Sequence, residues 1–336
     1  MTDETQAPRP GPATARLPAP ARYLPVGPRA FRFEIGLSPL GRDFGNGHAD
    51  ALAFQVDERW PDYREAKLAA RAESLRRYFA CRPHHADALG AITRELARRL
   101  ASEHPDWYGF SSARAGGWRL HSALSGQTAL CAGTGAQVDP QGEAGPLATH
   151  VLDALALEVQ EDVAVMRDEG GTMRLIAHHV CFPNHWAPKD KLGQDFAGVH
   201  ARVPGFSRLA RGGTRLQAAL TNQGPWVRFA WGLSTDTRLN HHPAAPPGSE
   251  QADWHGRRFD AGDPRLWLRV ERQVLLPMPE WAAYVFLIRT YFEPVAGLSG
   301  DGRSRLARAV ESMDADVLAY KGLAAERDAI LAWLRG

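Results

Sequence analysis

Between Cys181-Phe182-Pro183-Asn184-His185-Trp186-Ala187-Pro188 and Val203-Pro204-Gly205-Phe206 the chain delivers one histidine, His200, beside an apolar stripe. Pro188 suits a first helical position, where a missing N–H costs nothing, and Val203-Pro204-Gly205 stops the helix at its far end. Leu192, Phe196 and Val199 recur at helical spacing, and at about 100° per residue His200 falls one turn beyond Phe196, on the border of the same stripe. Its imidazole is thereby aimed toward the core. A histidine held so can ligate a metal or a heme iron, or it can be a core residue hydrogen-bonded to a backbone carbonyl.

Strand alternation supplies further candidates. In Trp226 to Leu233, Val227, Phe229, Trp231 and Leu233 take one face, while Arg228, Ala230 and Gly232 take the other, where small residues beside one arginine leave room for a flat ligand. In the next strand Arg269, Glu271 and Gln273 share a face opposite Leu268, Val270 and Val274, as a ligand-binding row or as a solvated sheet face. Arg289 shares its face with Val285, Leu287 and Tyr291, so its charge requires a partner such as a carboxylate or a heme propionate. A non-heme metal site could draw on His178, His179, Cys181 and His185, although adjacent strand residues His178 and His179 point to opposite faces.

The elements that must position these residues follow from periodicity. Residues 57–80 and 85–104 read as helices, with stripes at Leu68, Ala72, Leu75 and Phe79 and at Leu89, Ile92, Leu96 and Leu100. From Ser111 to Pro146 small residues prevail without a period, which describes a long loop or a flap over a pocket. Glu161 to Arg167 and Thr172 to Phe182 form a hairpin around Asp168-Glu169-Gly170-Gly171. After the Pro188 to His200 helix come strands at Trp226 to Leu233, Leu266 to Leu275 and Ala282 to Phe292, giving an α+β arrangement with helices on one side of an antiparallel sheet. The tail, Arg303 to Trp333, is helical, with Leu306, Val310, Met313, Val317 and Tyr320 stepping by four and three.

Composition bounds the rest. A chain of 336 residues can bury one large core or two modest ones. Forty basic residues against 38 acidic ones leave a net charge of +2, which offers no field for nucleic acid or an anionic membrane. Met1 to Pro28 is rich in Pro, Ala and Arg and lacks the continuous apolar core of a secretion signal, so it reads as a disordered extension. Cys81, Cys131 and Cys181 are far apart and in no paired motif, which points to reduced thiols in a cytoplasm. They also fall short of the four thiolates of an all-cysteine iron–sulfur cluster, and no Gly-x-Gly-x-x-Gly fingerprint marks a dinucleotide site.

The string from Cys181 to Phe206 resembles the signature of the heme-dependent oxidative N-demethylase alpha-subunit family, also called dimethylamine monooxygenase. Phe33-Glu34-Ile35-Gly36-Leu37-Ser38-Pro39-Leu40 and Val159-Gln160-Glu161-Asp162 resemble family motifs upstream. Arg228-Phe229-Ala230-Trp231, Arg269-Val270-Glu271-Arg272-Gln273-Val274-Leu275 and Ile288-Arg289-Thr290-Tyr291-Phe292-Glu293-Pro294 follow in family order, so the resemblance spans roughly residues 30–296.

The resemblance implies a PAS-like heme-binding domain over residues 29–300, with an antiparallel sheet and flanking helices enclosing a heme b pocket, and a C-terminal helical segment over 301–336. It implies His200 as the proximal iron ligand, Arg289 near the cofactor, Arg228 as a donor toward reacting dioxygen and Glu271 as the countercharge for a protonated amine. The implied reaction is oxidative N-demethylation of a small secondary methylamine by O2. Its electrons come from NADPH through FMN and 2Fe-2S centres in separate reductase subunits. A heme-binding gas or redox sensor without turnover is the alternative on the same fold. One departure touches the substrate: the motif around Arg228 usually carries an asparagine where this chain has Ala230.

Overall fold

The computed structural model describes residues 16–131, 133, 135, 148, 150–206, 213–255 and 258–336. Its centre is a seven-stranded sheet in the order β1-β8-β9-β10-β6-β7-β2, every neighbouring pair antiparallel. The strands are β1 (Ser38–Pro39), β2 (Phe79–Cys81), β6 (Asp162–Asp168), β7 (Met173–His179), β8 (Trp226–Ser234), β9 (Trp267–Met278) and β10 (Ala283–Pro294). A second sheet holds β3 (Tyr108–Ser112), β4 (Trp118–Ser122) and β5 (Thr128–Cys131). The helices are α1 (Trp60–Tyr78), α2 (Ala86–Glu103), α3 (Val151–Ala156), α4 (Phe196–His200), α5 (Gly213–Asn222), α6 (Gln251–His255), α7 (Gly300–Glu311), α8 (Ala315–Tyr320) and α9 (Arg327–Arg335).

The hairpins lie where alternation and turn residues put them. Gly170 and Gly171 both adopt positive φ, which a side chain would strain, and Asp168 Oδ1 accepts the Gly171 N–H at 2.7 Å. β9 and β10 then pair along their whole length, from Trp267 opposite Pro294 to Met278 opposite Ala283.

Helices flank both faces of the large sheet, not one as the sequence predicts. On the first face Val163, Val165, Val227, Val274, Leu276, Val285 and Leu287 join Leu89, Ile92, Leu96 and Leu100 of α2 and Leu152 and Leu155 of α3 in one core. On the second, Met166, Leu175, Leu275 and Tyr284 pack with Leu220 of α5 and, at the margin, Phe196 and Val199 of α4. Each sheet face presents an apolar row and therefore needs its own cover. The C-terminal helices close a third cluster around Leu268, Val270 and Tyr291.

Four further expectations change. The stretch read as a loop from Ser111 begins inside β3 and contains β4 and β5, with Trp118 and Leu120 buried against α2; 132, 134, 136–147 and 149 lie outside the described residues. The N-terminal extension is ordered where it is described, because Tyr23 and Val26 are buried and Tyr23 Oη donates to Asp50 Oδ1 at 2.9 Å; residues 1–15 lie outside the description. The tail is three helices, since Asp314 caps a new start at α8 and Gly322 turns the chain with positive φ.

The fourth change is the buried stripe of α1, which is Trp60, Tyr63, Lys67 and Ala70. Polar tips on that stripe end on backbone carbonyls, so an apolar count misjudges it. Trp60 Nε1 donates to Glu158 O at 2.9 Å, and Lys67 Nζ donates to Ala156 O, Val159 O and Glu161 O at 2.8, 2.9 and 2.5 Å. Ser74, with φ −171° and ψ 100°, interrupts the helix near its end.

Two buried charges under the first face bear on stability. Arg289 donates to Asp57 Oδ2 at 2.8 Å with both side chains nearly inaccessible, and its guanidinium lies over Tyr63 and Tyr291 at 3.8 and 4.7 Å. Asp57→Ala is expected to cost about 3–5 kcal/mol in urea denaturation by leaving that guanidinium uncompensated. A loss below about 1 kcal/mol would mean that Arg289 relies on another partner.

Burial holds the imidazoles of His150, His178 and His185 down at about 4, against an ordinary value of 6.5. Below about pH 6.5 the unfolded chain therefore takes up protons that the native state refuses, and stability falls with pH. Asp162, pushed up to about 6 by burial, works in the opposite direction together with the raised carboxyls of Glu158 and Glu161, but burial also lowers His85, His104, His179, His200, His241 and His242. The melting temperature should drop by roughly 5 °C or more between pH 6.5 and 4.5, measured by calorimetry; a flat or rising profile would contradict it.

Candidate functional site

The segment that carries His200 is not one helix. Pro188–Lys191 makes a single 3-10 turn, and Gly193–Asp195 then runs along the outer edge of β7. Gly193 N donates to Leu175 O at 2.8 Å and Leu175 N to Gln194 O at 2.9 Å. β2 covers that edge only at Ala177 to His179, so the chain from 193 to 195 satisfies the backbone groups β2 leaves open. Gly193 turns with positive φ, and Asp195 Oδ1 accepts the Gly198 N–H at 2.7 Å to cap α4.

One turn of α4 suffices to place the histidine. His200 Nδ1–H donates to Phe196 O at 2.8 Å, and the ring lies against Phe196 and stacks on Phe206 with centroids at 4.5 and 5.0 Å. Burial depresses its pKa, the Phe196 carbonyl opposes this, and the charges of Arg228 and Lys191 add to the depression. The ring is neutral, its proton sits on Nδ1, and among the described residues Nε2 makes no hydrogen bond. Carbonyl-bonded core residue and potential ligand are thus the same ring, since the bond at Nδ1 fixes the tautomer that leaves the Nε2 lone pair available.

Arg228 acts on His200 electrostatically from the second sheet face. There Arg228 stands opposite Gln273, and Ala230, Glu271 and Thr290 form one row across β8, β9 and β10. Arg228 Nη2 donates to Glu34 O at 3.3 Å, and no carboxylate of the described residues forms an ion pair with it. Burial lowers the Arg228 pKa, with Glu271 and Tyr320 opposing the shift. Gln273 Nε2 donates to Glu271 Oε2 at 2.9 Å, while the buried Gln273 Oε1 and Thr290 Oγ1 have no partner among the described residues. A Cβ at Gly232 would meet Asn184 Nδ2 of the motif loop at 4.0 Å, an ordinary contact distance, so the loop passes close by without requiring the glycine.

That loop is clamped from two directions. Asp162 accepts the N–H groups of Cys181 and Phe182 at 2.8 and 2.9 Å, and Arg269 Nη2 donates to Phe182 O at 2.8 Å. Lys321 closes another side. Its ammonium donates to Trp231 O and lies 4.8, 5.6 and 4.9 Å from the rings of Phe31, Phe33 and Trp231, with burial drawing its pKa down to about 8 against the pull of Glu271. In the sequence Lys321 carries no signal beyond following the stripe that ends at Tyr320.

Arg289 is not brought to this face. Its partner is the carboxylate of Asp57, beneath the opposite side of the sheet. Of the four candidate non-heme ligands only His179 and Cys181 stay together, with Sγ 3.8 Å from Nδ1; His179 Nε2 meets Asp153 Oδ1 at 3.1 Å, His178 Nδ1 meets Tyr78 O at 3.1 Å, and His185 lies beside His241. Asp162, His179 and Cys181 do bring ligand atoms within 4.8 Å of one another. However, Lys67 lies close enough to pull at both Asp162 and Cys181, burial pushes the Cys181 thiol well up, and both Asp162 oxygens already accept backbone N–H groups, so without a metal this trio holds a protonated thiol.

A neutral histidine whose Nε2 makes no hydrogen bond among the described residues would suit a heme iron, and the arginine and carboxylate on the sheet face would suit polar chemistry. By comparison with family models, the one described as haem-dependent oxidative N-demethylase, alpha subunit-like, matches residues 48–331, and the chain belongs to this family.

Proposed function

We propose that this chain is the heme-binding catalytic subunit of an oxidative N-demethylase acting on a small secondary methylamine. The reading rests above all on His200, whose Nδ1 is committed to Phe196 O while Nε2 makes no hydrogen bond among the described residues. Heme b, held at Nε2, would supply the activation of dioxygen. The reaction balances as R–NH–CH3 + O2 + 2 e− + 2 H+ giving R–NH2 + CH2O + H2O.

The chain's own residues divide the remaining work. Arg228, free of any ion pair among the described residues, offers N–H donors where negative charge develops as oxygen is reduced. Glu271 holds the protonated amine, which a pocket lacking a countercharge would reject, and can take its proton to expose the nitrogen lone pair. Cys81, Cys131 and Cys181 are free and separate, so the electrons are proposed to come from NADPH by way of FMN and 2Fe-2S centres on partner subunits, as the alpha-subunit description of the family also suggests.

The purified chain should show a Soret band, and His200→Ala should abolish it with the far-ultraviolet circular dichroism retained. A chain that takes up no heme, or a variant that holds heme as tightly as the parent, would overturn the assignment. Glu271→Gln should weaken dimethylamine binding about tenfold or more at an unchanged Soret intensity, read by difference spectroscopy. Formaldehyde should form from a methylated amine when a reductase and NADPH are supplied; heme binding with no formaldehyde would favour a gas or redox sensor.

A further inference from the structure

We propose that Gln273 and Thr290 complete the amine site around Glu271 and make it select ammonium ions by the number of N–H donors they carry. The inference rests on the amine-binding role proposed above for Glu271. Glu271 and Thr290 are cross-strand partners on β9 and β10, and Gln273 lies two residues along the same face of β9, so their side chains are immediate neighbours.

Gln273 is oriented by chemistry. Only its Nε2 can donate, and it does so to Glu271 Oε2 at 2.9 Å, which turns Oε1 away as a free acceptor. Thr290 Oγ1 is equally without a partner, although Thr290 is wholly inaccessible and Gln273 nearly so. Buried oxygens without donors are costly and rare, and two beside the same carboxylate describe a site that an entering donor completes.

The ligand must then be cationic, to match Glu271, and must bring hydrogens on nitrogen. A protonated secondary amine carries two N–H groups, one for the carboxylate and one for a neutral oxygen. A tertiary ammonium carries one and a quaternary ammonium none, so the latter would leave every acceptor unmet. Aromatic cages take quaternary ions through ring faces alone, and the cage in this molecule, Phe31, Phe33 and Trp231, is already filled by Lys321.

Thr290→Val and Gln273→Leu in the heme-loaded full chain test this, with dimethylammonium, trimethylammonium and tetramethylammonium titrated by calorimetry. Since the substituted oxygens bond nothing among the described residues, the Thr290→Val protein should melt no lower than the parent. Dimethylammonium affinity should fall about tenfold in each variant, while tetramethylammonium binding stays as it was. Variants that keep the parent's preference for dimethylammonium, or that lose all three ligands equally, would overturn the role of Gln273 and Thr290 and leave the demethylase reading intact. A parent protein that takes up heme but binds none of the three ions would overturn both.

Discussion

Twelve residues of β9 lie against twelve of β10 in unbroken register, and that pairing assigns every polar side chain at the centre of the molecule to one side or the other. Arg272 and Arg289 face α1 and the loop before it; Arg269, Glu271, Gln273 and Thr290 face the loop after β7. A slip of one residue would exchange the two sets and set Val274 and Leu287 in place of the row proposed to bind the amine. No local change in loop or helix could reproduce that site, because its spacing is the spacing of the ladder.

The two faces treat charge differently. On the first, Arg272 spends its Nη groups on the carbonyls of Leu52 and Ala53, Arg289 meets Asp57, and Lys67 gathers three carbonyls. These cations bind irregular backbone to the sheet, and each has a strong acceptor close by, as burial requires. On the second face, among the described residues, a carboxylate and two neutral acceptors receive one hydrogen bond, from Gln273 Nε2, with the unpartnered Arg228 Nε beside them. The same fold thus satisfies its structural cations and leaves an acceptor-rich patch open, which is the distribution expected where a donor arrives from outside.

What the sequence made legible was mostly what apolar patterning governs. β6, β7, β8, β9 and β10 are found within a few residues of their predicted bounds because each is an apolar-rich run bounded by turn residues, although β7, β9 and β10 are buried on both faces, and the Leu89, Ile92, Leu96 and Leu100 stripe of α2 is buried as expected. Patterns failed where polar atoms carry the burial. Lys67 and Tyr63 look like a solvated face of α1 until the carbonyls beneath them are seen, and Arg289 could be narrowed to a carboxylate or a propionate but not to Asp57, 232 residues away. The stretch before His200 kept its helical spacing at Phe196 and Val199, yet the open edge of β7 drew Gly193 to Asp195 into strand pairing instead. Thr290 stands in a motif that the sequence singled out, but only the absence of any partner for its hydroxyl distinguishes it.

Ala230 marks the boundary between what the ladder dictates and what it leaves adjustable. It is the cross-strand partner of Glu271, so its side chain is the nearest neighbour of the carboxylate from β8. An asparagine there, as the family motif usually has, would bring an amide able to donate to Glu271 and to accept from an incoming ammonium. With a methyl group in its place, orientation of the carboxylate falls to Gln273, the one donor bonded to it, and the added volume lies on the side toward Arg228 and Gly232. The geometry of His200 is untouched by this exchange, because it depends on Phe196, Phe206 and the Asp195 cap, all on a different segment. Under the proposed function, cofactor and substrate preference would be carried by separate parts of the chain, and a change at position 230 would retune the amine accepted without disturbing the proposed iron ligand.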